Sequence, residues 1–205
     1  MRLLVQKKYE AQKVKRAVSN EMCNLSHAEL VKIPILEISK YNVKVLDLHN
    51  NSISSINDTF GRLKTLIKLD LSANKLTTLP SSIGQLFKLR SLTLYDNCLT
   101  DLPISFGRLS KLRYLNLHNN PLSEELKAVT GCCFTSKDCQ KCAVDTVQYY
   151  KHKMRMDRKR KQEITEYSER TKKEEPTPFF EADIGRPIST KVKKMVQDIE
   201  ERLRK

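Results

Sequence analysis

Nowhere in the 205 residues do eighteen apolar residues run together, so no segment reads as a transmembrane helix. The opening Met1-Arg2-Leu3-Leu4-Val5 turns charged at Lys7 and Lys8, too short an apolar run for the core of a secretory leader. A chain facing the cytosol or nucleus is therefore expected, with its six cysteines as thiols rather than disulfides. Glycine is scarce: five in all, three of them recurring at one spacing. None builds a phosphate-cradling loop, and no cofactor is expected. Acidic residues are outnumbered, 24 against 38 Lys and Arg, for a formal charge of +14. Residues 1–42 carry +4, residues 43–130 another +4 and the remainder +6. Such an excess suits acidic partners: RNA, a ribosome surface, anionic lipid or an acidic protein. For the central stretch, solubility is reason enough.

What the chain does have is a period. VKVLDLHNNSISSINDTFGRLKT (43–65), LIKLDLSANKLTTLPSSIGQLFK (66–88) and LRSLTLYDNCLTDLPISFGRLSK (89–111) align without gaps at 23 residues, and LRYLNLHNNPLSEEL (112–126) starts a fourth unit that breaks off. One period upstream, Leu25, Leu30, Ile33 and Pro34 keep the register as a degenerate first repeat. Leu46, Leu69, Leu92 and Leu115 share a column, and Leu48, Leu71, Leu94 and Leu117 share the next but one. Leucines one residue apart point to the same side of a strand. Asn51, Asn74, Asn97 and Asn120 follow each strand, where an amide side chain satisfies buried backbone groups as the coil turns. Phe60, Ile83 and Phe106 are expected on the convex side, each followed by glycine. No such unit buries its apolar face alone; stacked units share one interior, with atypical caps. The pattern predicts an α/β leucine-rich repeat solenoid, with short parallel strands on the concave side and helical extensions at both ends.

Residues between the leucines face out of the concave side. Asp47, His49, Lys68, Asp70, Tyr95, Tyr114, Asn116 and His118 are the expected protein-binding set, since Tyr and His combine contact area with a polar tip. Catalysis is not expected: His49 and His118 lie three repeats apart, and no base has a nucleophile placed beside it by the repeat.

Beyond Pro121 the repeat gives way to Gly131-Cys132-Cys133-Phe134-Thr135-Ser136-Lys137-Asp138-Cys139-Gln140-Lys141-Cys142. Thr135 with Asp138 reads as a capping box opening a helix. Cys139, Cys142, Thr146 or Val147, and Tyr150 then make one helical stripe, expected to close the end of the last repeat. The thiols for a metal would be Cys133, Cys139 and Cys142. One C-x-x-C and one C-C are poor zinc spacing, so no metal is assigned and the cysteines read as small packing residues. Cys23 and Cys98 read as core or loop positions of the repeat.

The stretch DLPISFGRLSKLRYLNLHNNPLSEELKAVTGCCFTSKDCQKCA resembles the leucine-rich repeat-containing protein 59 family, over about residues 25–165. That resemblance implies a repeat domain on the cytosolic side of the endoplasmic reticulum, associated with ribosomes and with nuclear import of growth factors. The family's long charged coiled segment and single membrane span have no match up to Lys205, so anchoring is not carried over. The repeats reading KVLDLHNN after a basic opening segment are also similar to those of a ubiquitin ligase, but no zinc-binding ligase module accompanies them.

Five segments follow. Residues 1–20 are a basic helix or lead, with Gln6–Val18 helical. Residues 21–136 are the repeats. Residues 137–173 are the cysteine cap and one long helix, polar all round beyond Met154 and so expected to reach into solvent. Its basic patch is Lys151, Lys153, Arg155, Arg158, Lys159, Arg160 and Lys161, seven cations in eleven residues, the chemistry that meets ribosome or RNA phosphates or an importin. Residues 174–188 are a Pro-containing linker with exposed Phe179 and Phe180. Residues 189–205 are a helix capped by Ser189 or Thr190, with Val192, Val196, Ile199 and Leu203 as its stripe. The expected role is a non-catalytic scaffold in the cytoplasm, with the surface of the endoplasmic reticulum and the nucleus as further locations. The competing expectations are a soluble signalling adaptor of the Ras-suppressor type and a zinc-binding module at the cysteine cap.

Overall fold

The computed structural model describes residues 2–173. The chain divides into two compact units, Met1–Lys161 and Gln162–Lys205; of the second, residues 162–173 are described, all helical. The expected linker 174–188 with Phe179 and Phe180, and the helix 189–205, lie outside the described residues.

Among the described residues six short strands form one sheet in chain order: β1 (Val18–Ser19), β2 (Met22–Asn24), β3 (Val45–Asp47), β4 (Lys68–Asp70), β5 (Ser91–Thr93) and β6 (Tyr114–Asn116). From β2 onward all pairs are parallel, and the register steps by one period at a time: Cys23 against Leu46, Leu46 against Leu69, Leu69 against Leu92, Leu92 against Leu115. The degenerate repeat therefore begins at β2, with Cys23 standing where later coils have leucine. It is buried there, and burial pushes its thiol up to about 11, as suits a packing residue.

Each coil turns after its strand through a residue of positive φ: His27, Asn50, Ala73, Asp96 and Asn119. Asn and Asp tolerate this left-handed backbone better than most residues do. The asparagine ladder follows. Asn74 Nδ2 donates to the carbonyls of Leu48, Leu71 and Ser72 at 3.0, 3.0 and 3.1 Å, and its Oδ1 accepts from the Ile53 amide at 3.1 Å. Asn51, Asn97 and Asn120 repeat the pattern. Every leucine of the two strand columns is buried.

On the opposite side the coils return through short 3-10 turns, Asp58–Arg62, Ser81–Gln85 and Ile104–Arg108, and in the first repeat through α2 (Ile35–Ile38). These turns stack so tightly that a Cβ on Gly84 would lie 2.4 Å from the Ser105 carbonyl oxygen. A side chain there would separate the coils, which explains the glycine column.

Both ends are capped. Helix α1 (Arg2–Ala17) is longer than its basic pattern suggested and places Val14 in the core. It is joined to the sheet by an unforeseen antiparallel β1–β2 hairpin. The two-residue loop Asn20-Glu21 has positive φ at both positions, as primed hairpin turns require. At the other end, α3 (Glu124–Thr130), which the broken repeat did not reveal, precedes α4 (Ser136–Lys173). The expected capping box opens α4: the Thr135 amide donates to Asp138 Oδ2 at 2.9 Å, and the Asp138 amide donates to Thr135 Oγ1 at 3.2 Å. Cys139, Cys142, Thr146 and Tyr150 are all buried along one face of α4. That face reaches further than the end of the last repeat. A Cβ on Gly107 would meet the Lys151 amide nitrogen at 2.5 Å, so α4 occupies the place that the next coil's 3-10 turn would take.

Candidate interaction surfaces

The concave side presents the expected columns, held by local hydrogen bonds. The Asp47 carboxylate accepts the His49 amide, Asp70 that of Ser72, and the Asn116 side-chain carbonyl that of His118, at 2.9, 2.9 and 3.0 Å. Each pre-set turn fixes the residue that follows the strand. Lys68 and Tyr95 are exposed, and Asp47, His49, Asp70, Tyr114, Asn116 and His118 are half-buried.

One expectation is corrected here. Ser72 Oγ lies 2.9 Å from His49 Nδ1, because the two share a column one repeat apart, so a base does have a hydroxyl beside it. The hydroxyl also donates to the Asp70 carboxylate, and Ser72 is buried. The acid thus holds the serine rather than orienting the histidine, the reverse of the order that activates a nucleophile. The trio stiffens the face.

Two aromatic groupings stand on this surface. Near its N-terminal end, the His27 and His49 rings meet edge to face at 5.4 Å, and Asn50 Nδ2 lies 2.7 Å from His27 Nδ1. Near the other end, Tyr95 and His118 stack with their planes 3° apart and centroids 6.0 Å apart, and Phe134 from the cap leans on His118 at 4.7 Å. Phe134 is 72% exposed. Repeat spacing could not point to it, since it lies outside the repeat and is delivered by the turn before α4. Beside this group Asn119 Nδ2 donates to Asp96 Oδ1 at 2.7 Å.

The cap cysteines form a buried cluster rather than a ligand set. Cys139 Sγ lies 3.8 Å from the Cys133 carbonyl oxygen, Cys142 Sγ lies 3.8 Å from Thr146 Oγ1, and Cys133 Sγ lies 3.7 Å from the Leu115 carbonyl oxygen. A hydrogen bond with Cys142 holds the Cys133 thiol down to about 6 against its burial; the Leu117 amide, Cys139 and His118 act in the same direction. Cys142 is pushed the other way by the same hydrogen bond and by burial, and burial foremost raises Cys139. Among the described residues no three His, Cys, Asp or Glu side chains are grouped to hold a metal ion. Cys98 and Cys132 are exposed.

The basic run is not uniform. Lys153 is tied to the cap, 3.2 Å from Tyr149 Oη and 3.8 Å from Glu125, over the faces of Tyr149 and Tyr150. Lys161 pairs with Asp157 at 2.8 Å. Lys151, Arg155, Arg158, Lys159 and Arg160 are exposed. Among the described residues no helix is long and apolar enough to cross a membrane.

Residues 41–94 match a family model described as Leucine rich repeat, and residues 88–129 one described as Leucine Rich repeats (2 copies). No curated protein matches the chain. Among solved structures, the chain is similar to the Leptospira interrogans leucine-rich repeat protein LIC12759, with 39% identity, 46% of this chain and 24% of that one covered, and a TM-score of 0.44. It is also similar to an internalin from Listeria monocytogenes, with 24% identity, coverage of 48% and 28%, and a TM-score of 0.41. A chain in the Toll–Spatzle complex of Drosophila is 27% identical, with coverage of 45% and 13% and a TM-score of 0.42. The chain spans less than a third of the length of each.

Proposed function

We propose that this leucine-rich repeat protein is a non-catalytic scaffold of the cytoplasm that grips a protein partner on its concave face and meets the ribosome through the basic run of α4. The observation that carries the reading is the Tyr95–His118–Phe134 group, with Tyr95 and Phe134 exposed, on a face otherwise lined by pre-set polar side chains. Aromatic residues with polar tips are enriched where protein interfaces bury area, and solenoids commonly use this surface. A catalytic reading has no support from the His49–Ser72 pair, whose serine is buried against an acid.

Support for the ribosome comes from the cap's resemblance to leucine-rich repeat-containing protein 59 and from the cations Arg158, Lys159 and Arg160. The same resemblance favours a location at the cytosolic surface of the endoplasmic reticulum. Phosphate contacts weaken linearly in the logarithm of salt concentration. Co-sedimentation with purified ribosomes should therefore decline as salt rises and collapse when Arg158, Lys159 and Arg160 are changed to Gln. Sedimentation indifferent to both contradicts the ribosome contact. If an importin is captured instead, and captured only with the basic run intact, the run is a nuclear-import signal.

A further inference from the structure

Where α4 crosses the last coil, a cleft of about 680 Å³ opens between the helix and the convex side of the repeats. Its apolar lining is Leu112, Val144 and Val147, and its rim carries Arg108 and Arg113 from the repeat and Lys151, His152 and Arg155 from α4. No Asp or Glu lines it. That is notable in a chain with 24 carboxylates. The fold does not need these cations: the helix–repeat contact is made by Gly107, Tyr150 and the buried stripe. Arg113 is further oriented by hydrogen bonds from Nη1 to the carbonyls of Leu112 and Ser110 at 3.2 and 3.4 Å. Among the described residues none of the rim cations has a carboxylate partner. Four permanent positive charges held around one concavity repel each other, and an anion relieves that repulsion.

We propose that this cleft binds a compact ligand bearing several phosphate groups. Its volume lies in the range of small-molecule sites, too confined for a duplex. Several cations converge from two elements, so a ligand with more than one phosphate engages both. Guanidinium groups suit this task because their planar forks pair bidentately with phosphate oxygens. The apolar part of the lining, Leu112, Val144 and Val147, leaves room for the ring that carries the phosphates. A soluble cyclitol polyphosphate and a phosphoinositide headgroup share this chemistry. The site is separate from the concave face and from Arg158–Arg160.

Titration calorimetry on the full chain tests it, with inositol hexakisphosphate and pyrophosphate as probes and sulfate as the reference anion. Inositol hexakisphosphate should bind more tightly than pyrophosphate, and pyrophosphate more tightly than sulfate. Arg108→Gln and Arg113→Gln should each weaken inositol hexakisphosphate binding about tenfold, the loss of one charge-assisted contact. Changing Arg158–Arg160 to Gln should leave it within about twofold. Vesicles containing phosphatidylinositol 4,5-bisphosphate, compared with phosphatidylserine vesicles of equal charge, assign the source: selective capture points to the lipid headgroup, none to the soluble polyphosphate. The proposal is overturned if all three anions bind alike, if the two arginine variants bind as the wild type does with an unchanged circular dichroism spectrum, or if a single-stranded RNA oligonucleotide displaces the hexakisphosphate and loses affinity with Arg108. Retained ribosome association in Arg108→Gln keeps this site distinct from the ribosome contact.

Discussion

The Tyr150 hydroxyl donates to the carboxylate of Asp101 and accepts the Leu102 amide at 3.2 Å, joining α4 to the fourth coil across 48 residues of chain. The ring packs edge to face on Phe106 at 6.0 Å and is buried. Burial, and next the Asp101 hydrogen bond, push this phenol well above the usual tyrosine range. The cap is thus locked to the solenoid by one aromatic side chain.

Separating its two contributions is straightforward. Tyr150→Phe keeps the ring, and the Leu102 amide still donates to Asp101 at 2.8 Å, so it should cost only about 1 kcal/mol. Tyr150→Ala removes the ring and should cost about 3–5 kcal/mol. Urea unfolding of the two variants gives the comparison; equal losses contradict a packing lock.

The asparagine ladder predicts a gradient along the solenoid. Asn74→Ala leaves the Ile53 amide without its acceptor in the interior and removes one of the two donors on each of the Leu48, Leu71 and Ser72 carbonyls, which keep Asn51 Nδ2, Asn97 Nδ2 and the Asn50 amide, a loss of about 2–3 kcal/mol. Asn120 is only half-buried, so Asn120→Ala should cost less. Thermal denaturation of both variants ranks them, and the opposite order refutes the ladder as a continuous buried element.

Gly107 makes a prediction about the cap alone. A Cβ there meets the backbone of Lys151 and Tyr150 at 2.5–2.8 Å, whereas at Gly61 the nearest atom is the end of the Gln85 side chain at 2.6 Å and the Ser82 carbonyl oxygen stands at 2.9 Å. Gly107→Ala should therefore cost about 1–3 kcal/mol, more than Gly61→Ala. It should also make Cys142, buried in the wild type, reactive to a thiol reagent. Labelling followed by mass spectrometry reads this: in the wild type only the exposed Cys98 and Cys132 react quickly.

The cap cysteines predict a pH dependence. Hydrogen bonding, from Cys142 above all, holds folded Cys133 at about 6, while the ordinary thiol value is 9.0. A folded-state value below the unfolded one adds stability that is fully present above the unfolded value and disappears as pH falls through the folded one. The urea midpoint of the wild type relative to Cys133→Ser should therefore rise between about pH 6 and pH 8. A difference constant over that range contradicts a held thiolate.

Much of this was legible in the residues. The leucine columns and the asparagine ladder follow from the 23-residue period, which survives in the fold because each coil repeats its neighbour's environment; the capping box at Thr135 and Asp138 and the stripe from Cys139 to Tyr150 follow from local helix signals. What escaped depends on contacts that no period encodes. The Asn20-Glu21 hairpin and α3 sit where the repeat decays. Phe134 reaches the concave face only because the cap's turn carries it there. Ser72 meets His49 across a repeat boundary, visible only once columns are read as stacked neighbours. Arg108 and Arg113 look like solvated repeat positions until α4 brings Lys151 and Arg155 opposite them.

The most direct test of a concave recognition face is a photocrosslinking amino acid placed at Tyr95 and, separately, at Phe87, which is 52% exposed but lies in the loop before β5, outside the concave columns. In cell extract, the chain labelled at position 95 should form a discrete protein adduct that is lost on changing both His118 and Phe134 to Ala, and the chain labelled at position 87 should not form it. The same adduct from both positions, or none from position 95, would contradict partner binding on that face.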